Sequence, residues 1–290
     1  MSPSPDLRST IAAPGVDLGL TLTTVRMGVA DPCWTSAAPG TWLWATRTPE
    51  GPGTVRLSPT VDGVRVEAWG EGAGWLVARA AGLVGALDAG PDPAVTAPAP
   101  VGGLLERFAA LRLARTAQPL DAAIAAVCRR GVSAFEAGRS WSLMIEEWGD
   151  EAPGPGHLRL PPDPGRIAAA SPYEMHVMGL EQERAAEVRR LASHHARLEL
   201  SASTDGDATV VERLRDLPGV APDVVDHVCA VALGDPDALP VVDAHVVAAV
   251  VRLLRAPGDA PEADLAAVLA PYGPQRGRVL RVIEAASAAV

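Results

Sequence analysis

The chain has 290 residues, with 25 basic and 35 acidic side chains and a formal net charge of −10. All 25 basic residues are arginine, and neither lysine nor asparagine occurs, which excludes a lysine Schiff base, a phosphate-loop lysine and a lysine general base. The acidity also argues against a protein that binds nucleic acid through bulk positive charge.

The first hundred residues have the pattern of a β-meander followed by a helix. Predicted strands, which alternate apolar and polar residues or carry β-branched and aromatic ones, lie at 18–26, 41–47, 53–58 and 63–69. Residues 73–88 then repeat apolar positions at helical spacing. Packing within the sheet is the simplest role for four tryptophans, Trp34, Trp42, Trp44 and Trp69.

Helical patterns dominate the rest of the chain. Residues 89–103 are rich in Pro, Ala and Gly without periodicity, which is typical of a connector. The helices that follow are predicted at 119–130, 133–148, 181–199, 208–215, 221–233, 242–255, 262–270 and 274–289. We therefore predict an N-terminal domain over 1–95, a connector over 96–103 and a helical domain over 104–290.

The most informative stretch is 214–245. Residues 217–220, Leu-Pro-Gly-Val, predict a tight turn before a helix that begins near Pro222. Gly219 can adopt a positive φ, and free N–H groups at the start of that helix could hold a phosphate without any basic side chain. Asp243 lies at the start of a later helix, where an acidic residue is also a good N-cap.

This turn, together with the aspartate-bearing loop at 232–245, resembles the signature of the helix-hairpin-helix DNA glycosylases, most closely the 3-methyladenine DNA glycosylase II branch. Further segments similar to that branch lie at 45–57, 108–127 and 270–286, so the resemblance spans nearly the whole chain. It implies an α+β N-terminal antiparallel sheet domain followed by an all-α, two-lobed helix-hairpin-helix glycosylase domain, with the hairpin at about 209–233.

The resemblance also implies a reaction. Such an enzyme flips a damaged base out of the duplex and hydrolyses its N-glycosidic bond. Asp243 matches the catalytic aspartate of the family, whose carboxylate would stabilise oxocarbenium-like charge on the deoxyribose. Alkylated purines are already positively charged and need little help from a general acid, so a single carboxylate can suffice.

The oxoguanine glycosylase branch uses a hairpin lysine as its nucleophile. Asp223 stands at the matching position here, and the chain holds no lysine. We therefore expect a monofunctional glycosylase for alkylated or otherwise damaged purines, without lysine-dependent lyase activity at abasic sites.

Three departures from the family pattern keep other hypotheses open. The second glycine of the hairpin is Ala221, which tolerates a positive φ poorly. Asp223 places a negative charge near the expected phosphate, although an acidic residue also suits the first turn of a helix. A Gln-rich segment that borders the DNA in many relatives reads Cys-Arg-Arg-Gly-Val-Ser at 128–133. The alternatives are a divergent, non-catalytic helix-hairpin-helix DNA-binding protein and a specialised glycosylase for bulky adducts.

Each candidate for a DNA contact has a structural alternative. Arg129 and Arg130 could contact phosphate or fill the gap left by the flipped base, or be solvated at a helix end. Arg276 and Arg278 could contact DNA or only balance charge on the last helix, and His245 could face the DNA or support a helix start. The predicted DNA-binding set is Leu217, Gly219, Val220, Ala221, His245, Arg129, Arg130, Arg276 and Arg278.

A pocket for an electron-poor base would suit methionine and aromatic side chains. The candidates are Tyr173, Met175, Trp141 and Tyr272, each of which would equally suit ordinary core packing.

Cofactors and compartment follow from what the sequence lacks. Cys33, Cys128 and Cys229 are far apart and form no zinc pair, disulfide framework or iron–sulfur loop. We predict no catalytic metal or other cofactor, although the hairpin backbone could bind a monovalent cation.

The apolar runs are shorter than the roughly 20 residues of a membrane span, and residues 1–10 do not have the pattern of a secretory signal. We expect a cytoplasmic monomer that binds double-stranded DNA containing damaged bases, with no membrane partner.

Overall fold

A computed structural model describes residues 3–92, 100–201, 203, 207–254 and 264–288. The strands are β1 (Leu7–Ala12), β2 (Trp34–Ala38), β3 (Thr41–Thr48), β4 (Gly51–Thr60) and β5 (Gly63–Trp69). The first helices are α1 (Leu18–Thr23), α2 (Ala73–Leu83), α3 (Val101–Arg107), α4 (Pro119–Arg129), α5 (Ala134–Trp148), α6 (Pro164–Ala169) and α7 (Pro172–Val177). The later helices are α8 (Gln182–Ser193), α9 (Asp207–Arg215), α10 (Pro222–Val231), α11 (Ala244–Leu254), α12 (Leu265–Leu269) and α13 (Arg276–Ala288), with 3₁₀ turns at His195–Arg197 and Ala270–Tyr272.

The strands form one antiparallel sheet in the order β1-β5-β4-β3-β2. Trp34 and Trp44 are cross-strand partners whose rings stack with centroids 5.2 Å apart, and both are buried in the main hydrophobic core. Trp69 is buried on the other face against the segment that contains Leu158 and Leu160. The predicted sheet packing is therefore confirmed for these three tryptophans, whereas Trp42 is only partly buried.

Three strand predictions are confirmed, but the one at 18–26 is wrong. Residues 18–23 form α1, with Leu18, Thr21 and Leu22 on its buried face. The side chain of Asp17 caps this helix by accepting a hydrogen bond from the Leu20 N–H at 3.1 Å. The alternating Leu-Gly-Leu-Thr-Leu-Thr sequence fits a strand equally well. The Asp17 cap and the burial of one helix face against the core therefore determine that this segment is helical. The outer strands β1 and β2 are absent from the prediction.

The sheet region and the helices share one hydrophobic core. The indole N–H of Trp75 on α2 donates to the Leu200 carbonyl at 2.7 Å. Arg79, also on α2, is buried and forms a salt bridge with Asp207 at the start of α9. The division into domains stays a prediction, and residues 96–99 of the predicted connector lie outside the described residues. Residues 101–103 of the predicted connector form the first turn of α3.

Two hydrophobic clusters organise the helical region. The main core takes in α4, α5, α8 and α10 together with the sheet, and a second cluster joins α3, α11, α12 and α13. The predicted helices are found with shifted ends; residues 255, 262–263 and 289 lie outside the described residues. Short helices α3, α6 and α7 were not separately predicted. Asp243 lies between the two clusters, directly before α11.

In the described part of the chain, no helix combines the length and apolar character needed to cross a membrane.

Candidate functional site

The turn between α9 and α10 has the predicted tight form. Gly219 has a φ of +73°, a conformation that is unfavourable for residues with a Cβ atom. Leu217 is buried and Val220 packs against the same core. Ala221 has φ −78° and ψ 150°, so alanine at this position adopts ordinary extended backbone. The expected distortion of the turn by Ala221 is therefore wrong.

Two backbone N–H groups of this hairpin remain available. The Val220 N–H donates to the Leu217 carbonyl, and the Val224 N–H is taken by the Ala221 carbonyl and the Asp223 side chain. Among the described residues, the N–H groups of Gly219 and Ala221 have no acceptor. They are placed to donate to a phosphate oxygen.

A guanidinium group lies beside the hairpin carbonyls. Arg190 of α8 donates from Nη2 to the Gly219 carbonyl at 2.9 Å. A Cβ added to Gly219 would lie 3.1 Å from the Arg190 guanidinium carbon. The carbonyl that could help to ligate a monovalent cation thus already has a cationic partner, and cation binding at the hairpin stays a prediction.

The negative charge of Asp223 is balanced inside the protein. Arg130 donates to both carboxylate oxygens of Asp223, at 2.9 and 3.0 Å, and to Glu187 at 2.6 Å. This bidentate geometry is the strong form of an arginine–carboxylate pair. Arg130 therefore ties α4 to α8 and α10, and its contact with DNA phosphate stays a prediction. The pairing also weakens the expected repulsion between Asp223 and DNA.

The Asp243 carboxylate is held between the N-termini of two helices. Its Oδ1 accepts from the Val246 N–H of α11 at 3.0 Å, and its Oδ2 accepts from the Ala134 N–H of α5 at 3.2 Å. Both helix dipoles favour the charged carboxylate. Asp243 therefore caps α11, which is the structural role that its position in the sequence also allows. It remains partly exposed and so can still face a ligand. His245 next to it is exposed, and its contact with DNA stays a prediction.

An exposed aromatic side chain that the sequence analysis did not single out lies beside this carboxylate. Phe135, the residue after Ala134, is 79% exposed in the first turn of α5. The buried face of α5 carries Ala137, Ser140, Trp141, Met144 and Ile145. The Ser133–Glu136 capping box marks the start of α5. Counting about 3.6 residues per turn from that start places Phe135 outside the buried face of the helix. That combination is the signal by which the sequence could have identified it.

A narrow pocket lies between the sheet and the helices. Its polar lining consists of Thr24, Asp31, Cys33, Thr116, Gln118, Asp121, Arg129 and His227, and its aromatic lining of Trp34, Trp44 and Trp141. Trp141, a predicted pocket residue, is thus placed on a pocket, and its indole N–H donates to Asp31 at 3.1 Å.

Burial perturbs the titrating groups of this pocket. Burial, with smaller contributions from the charges of Arg129 and Arg281, lowers the pKa of His227 well below its usual value. Burial and the nearby charge of Asp31 raise the pKa of Asp121 to about 7. Burial also lowers the pKa of Arg129, which donates from Nη2 to the Arg26 carbonyl at 2.9 Å. At neutral pH, His227 is therefore a neutral imidazole.

The other predicted pocket residues lie elsewhere. Tyr173 is 75% exposed on the short helix α7, and Met175 on the same helix is fully buried in the main core. Tyr272 packs in the second hydrophobic cluster. None of the three lines the pocket between the sheet and the helices, and their predicted contact with a flipped base stays a prediction.

The arginines of α13 form internal ion pairs. Arg278 is 2% exposed and bridges to Asp88, which follows α2, so its predicted contact with DNA is wrong. Arg276 is engaged by Asp237 through both side-chain and backbone hydrogen bonds. It therefore secures the loop before Asp243, and its contact with DNA stays a prediction.

In the ranges that the structure describes, no three His, Cys, Asp or Glu side chains are grouped to hold a metal ion.

Comparisons with known proteins identify the fold. No family model matches the sequence, and no curated protein matches it significantly. A solved 3-methyladenine DNA glycosylase from Archaeoglobus fulgidus superposes with a TM-score of 0.72 at 18% identity, covering 97% of this chain and 98% of that one. The apo 8-oxoguanine glycosylase/lyase of Clostridium acetobutylicum gives 0.66 at 13% identity, covering 97% and 99%. The structure of MBOgg1 with a low-affinity DNA ligand gives 0.70 at 14%, covering 100% and 98%.

These structural neighbours are helix-hairpin-helix DNA glycosylases, and each matches the chain over nearly its full length. The resemblance inferred from the sequence is confirmed at the level of the fold. At such low identities, the likeness establishes the fold and not the substrate or the reaction.

Proposed function

We propose that the protein is a monofunctional DNA glycosylase that hydrolyses the N-glycosidic bond of damaged purines, alkylated ones included, with Asp243 as its catalytic carboxylate. The observation that carries the proposal is the setting of Asp243. This partly exposed carboxylate is oriented by the Ala134 and Val246 N–H groups, in a chain whose structural neighbours are DNA glycosylases. Double-stranded DNA is the proposed partner, since one C. acetobutylicum neighbour was solved with DNA that contains cytosine opposite 8-oxoguanine.

The proposed chemistry follows from where the charges lie. As the glycosidic bond breaks, positive charge develops at C1′ and the ring oxygen of the deoxyribose. A fixed carboxylate next to that sugar stabilises this charge without having to reorganise. The two N–H donors keep the Asp243 carboxylate directed, so it would act electrostatically and could receive a proton from the attacking water.

DNA would be held by local groups and not by bulk charge. The free N–H groups of Gly219 and Ala221 suit a phosphate oxygen. Phe135, exposed beside Asp243, suits the gap that a flipped nucleotide leaves in the base stack, because apolar wedges stabilise unstacked steps. Phe135 therefore takes the gap-filling role that the sequence suggested for Arg129 or Arg130.

The monofunctional assignment is supported by composition. A lysine-dependent lyase forms a Schiff base with the sugar, and the chain contains no lysine. Strand cleavage at the product abasic site should therefore appear only after treatment with alkali.

The test is a base-release assay on duplexes that each carry one lesion: 3-methyladenine, 7-methylguanine, hypoxanthine, ethenoadenine, 8-oxoguanine or a bulky purine adduct. We expect release of at least one base, and a loss of about 100-fold or more in the Asp243→Asn variant. Asparagine is also a good N-cap, so the fold should be retained.

Asp264→Asn is the matched control, because Asp264 caps α12 through a 3.0 Å bond from the Ala266 N–H. This variant should keep full activity. Equal activity of Asp243→Asn and the wild type would refute the assigned role. Binding of duplex DNA without release from any lesion would instead support a non-catalytic DNA-binding protein.

A further inference from the structure

The pocket between the sheet and the helices has two chemically different ends. Arg129 and His227 lie at the end nearest the proposed catalytic carboxylate: Arg129 ends α4 five residues before Ala134, whose N–H binds Asp243, and His227 binds the backbone of Val241, two residues before Asp243. Asp121, in the first turn of α4, lies toward the sheet, where Thr46 of β3 interacts with its carboxyl. Asp31 accepts from the Cys33 N–H just before β2. A base flipped out next to Asp243 would therefore meet Arg129 and His227 first.

His227 presents a hydrogen-bond donor at this end. Its Nδ1 accepts from the Val241 N–H at 3.0 Å, so in the neutral ring the proton is carried by Nε2. The side chain is 3% exposed and lines the pocket, and its hydrogen bond to the described part of the chain is made at Nδ1, not at Nε2. The buried ring thus has one donor that the protein itself does not satisfy.

Arg129 supplies further donors. One Nη group is used by the Arg26 carbonyl, but the buried Nε–H has no acceptor in the part of the chain that the structure describes. An arginine has no acceptor atoms and stays charged. A buried donor without a partner is costly, so this end of the pocket is suited to a ligand that presents acceptors.

The aspartates that line the pocket do not change its preference for a ligand with hydrogen-bond acceptors. Asp31 is 5% exposed and is satisfied by the N–H groups of Met27 and Cys33 and by the Trp141 indole. The pocket volume is about 40 Å³, room for about three water molecules. This space is smaller than a purine, so a base next to Asp243 would contact the pocket only at the end that holds Arg129 and His227.

We propose that Arg129 and His227 form a donor pair that selects uncharged purine lesions with acceptor atoms over cationic N-alkylated purines, and that stabilises the departing base. This inference rests on the proposed function. When the C1′–N9 bond breaks, its electron pair stays on the purine, and the ring nitrogens and any exocyclic oxygen share the charge. The donor pair stabilises that charge while water adds to C1′. The proton lost by water passes through Asp243 or solvent to the base, which leaves neutral.

A cationic base gains nothing from this arrangement. It departs as a neutral molecule without anionic character, and the positive charge of Arg129 repels it when it enters. Among alkylated purines, ethenoadenine is thus favoured over 3-methyladenine or 7-methylguanine.

The test compares single-turnover release of hypoxanthine, ethenoadenine and 7-methylguanine from otherwise identical duplexes, each divided by its spontaneous rate. We expect a wild-type acceleration at least about 10-fold greater for the neutral lesions. Arg129→Met and His227→Asn should each lower neutral-lesion release about 10- to 100-fold. Release of 7-methylguanine should change by less than about 3-fold in His227→Asn and should rise in Arg129→Met, which removes the charge that repels the cationic base. Asparagine at 227 keeps an acceptor for the Val241 N–H but removes the Nε2 donor.

Arg189→Met is the matched control, because Arg189 is also partly buried and bonded to one carbonyl, that of Ala168 at 3.3 Å, yet lies outside the pocket. Circular dichroism and affinity for a duplex with a tetrahydrofuran abasic analogue establish that each variant folds and binds. Equal losses on cationic and neutral lesions, or faster wild-type acceleration of 7-methylguanine release, would overturn the donor-pair proposal alone. Absence of release from every duplex by the wild type would overturn the proposed function, and this inference with it.

Discussion

Replacing Asp121 with asparagine should stabilise the protein increasingly as the pH rises. Burial and the charge of Asp31 raise the Asp121 pKa from 3.8 to about 7. The folded state therefore holds this proton more tightly than the unfolded state does. The neutral carboxyl contributes stability that is fully present below pH 3.8 and is lost as the pH rises to about 7. Asparagine resembles the neutral form and does not titrate.

The magnitude follows from the size of the shift. A difference of about 3 units corresponds to about 4 kcal/mol at most, at 1.36 kcal/mol per unit. Part of this free-energy difference is already present at pH 5. The stabilisation by Asp121→Asn should therefore be about 2–3 kcal/mol larger at pH 8 than at pH 5.

Urea unfolding of the wild type and of Asp121→Asn at pH 5, 6, 7 and 8 measures this difference directly. Asp264→Asn is the control, since it changes an aspartate at a helix cap outside the pocket. A stability difference between Asp121→Asn and the wild type that is independent of pH, or that shrinks as the pH rises, would refute the argument that Asp121 is buried beside a second carboxylate.

Three further substitutions test the packing and the surface of the site. Arg278→Met should lower the free energy of unfolding by about 3–5 kcal/mol, because it leaves Asp88 buried without its partner. DNA affinity measured on the folded protein should stay unchanged. A loss of DNA affinity in the folded Arg278→Met variant would indicate that Arg278 contacts DNA. Arg130→Met should cost about 3 kcal/mol by leaving Glu187 unpaired, and Glu187→Gln in the same chain should recover part of it in urea unfolding; no recovery would argue against the pair. Phe135→Ala should leave stability within about 0.5 kcal/mol but slow base release about 10-fold or more in single-turnover assays. Unchanged release would exclude a role for Phe135 in the gap.

Local chemistry made the hairpin predictable. The Leu-Pro-Gly-Val turn needs a positive φ at Gly219, and Pro222 suits the first turn of α10. Both signals lie within a few residues, so they do not depend on the rest of the fold. The same holds for β5, where the prediction at 63–69 coincides with the observed Gly63–Trp69 strand.

Contacts between distant parts of the chain were not predictable. Arg130 and Asp223 are 93 positions apart, and nothing in either local sequence indicates that they pair. Whether an arginine is a free cation or an internal partner depends on which helices pack together. For the same reason α1 resembled a strand, since the Asp17 cap and tertiary burial, not the residue pattern, distinguish the two states.

The internal pairing of arginines resolves how an acidic chain could act on DNA. Arg79, Arg130, Arg276 and Arg278 are each bound to a carboxylate, so counting basic residues does not measure a DNA-binding surface in this protein. What faces outward at the proposed site is a different set: two hairpin N–H groups, the Phe135 ring and the Asp243 carboxylate. If the protein binds DNA through so few phosphate contacts, its affinity should depend only weakly on salt. If the proposed donor pair selects the base, Arg129 and His227 determine the substrate class, and measuring which lesions are released is then more informative than measuring the affinity for DNA.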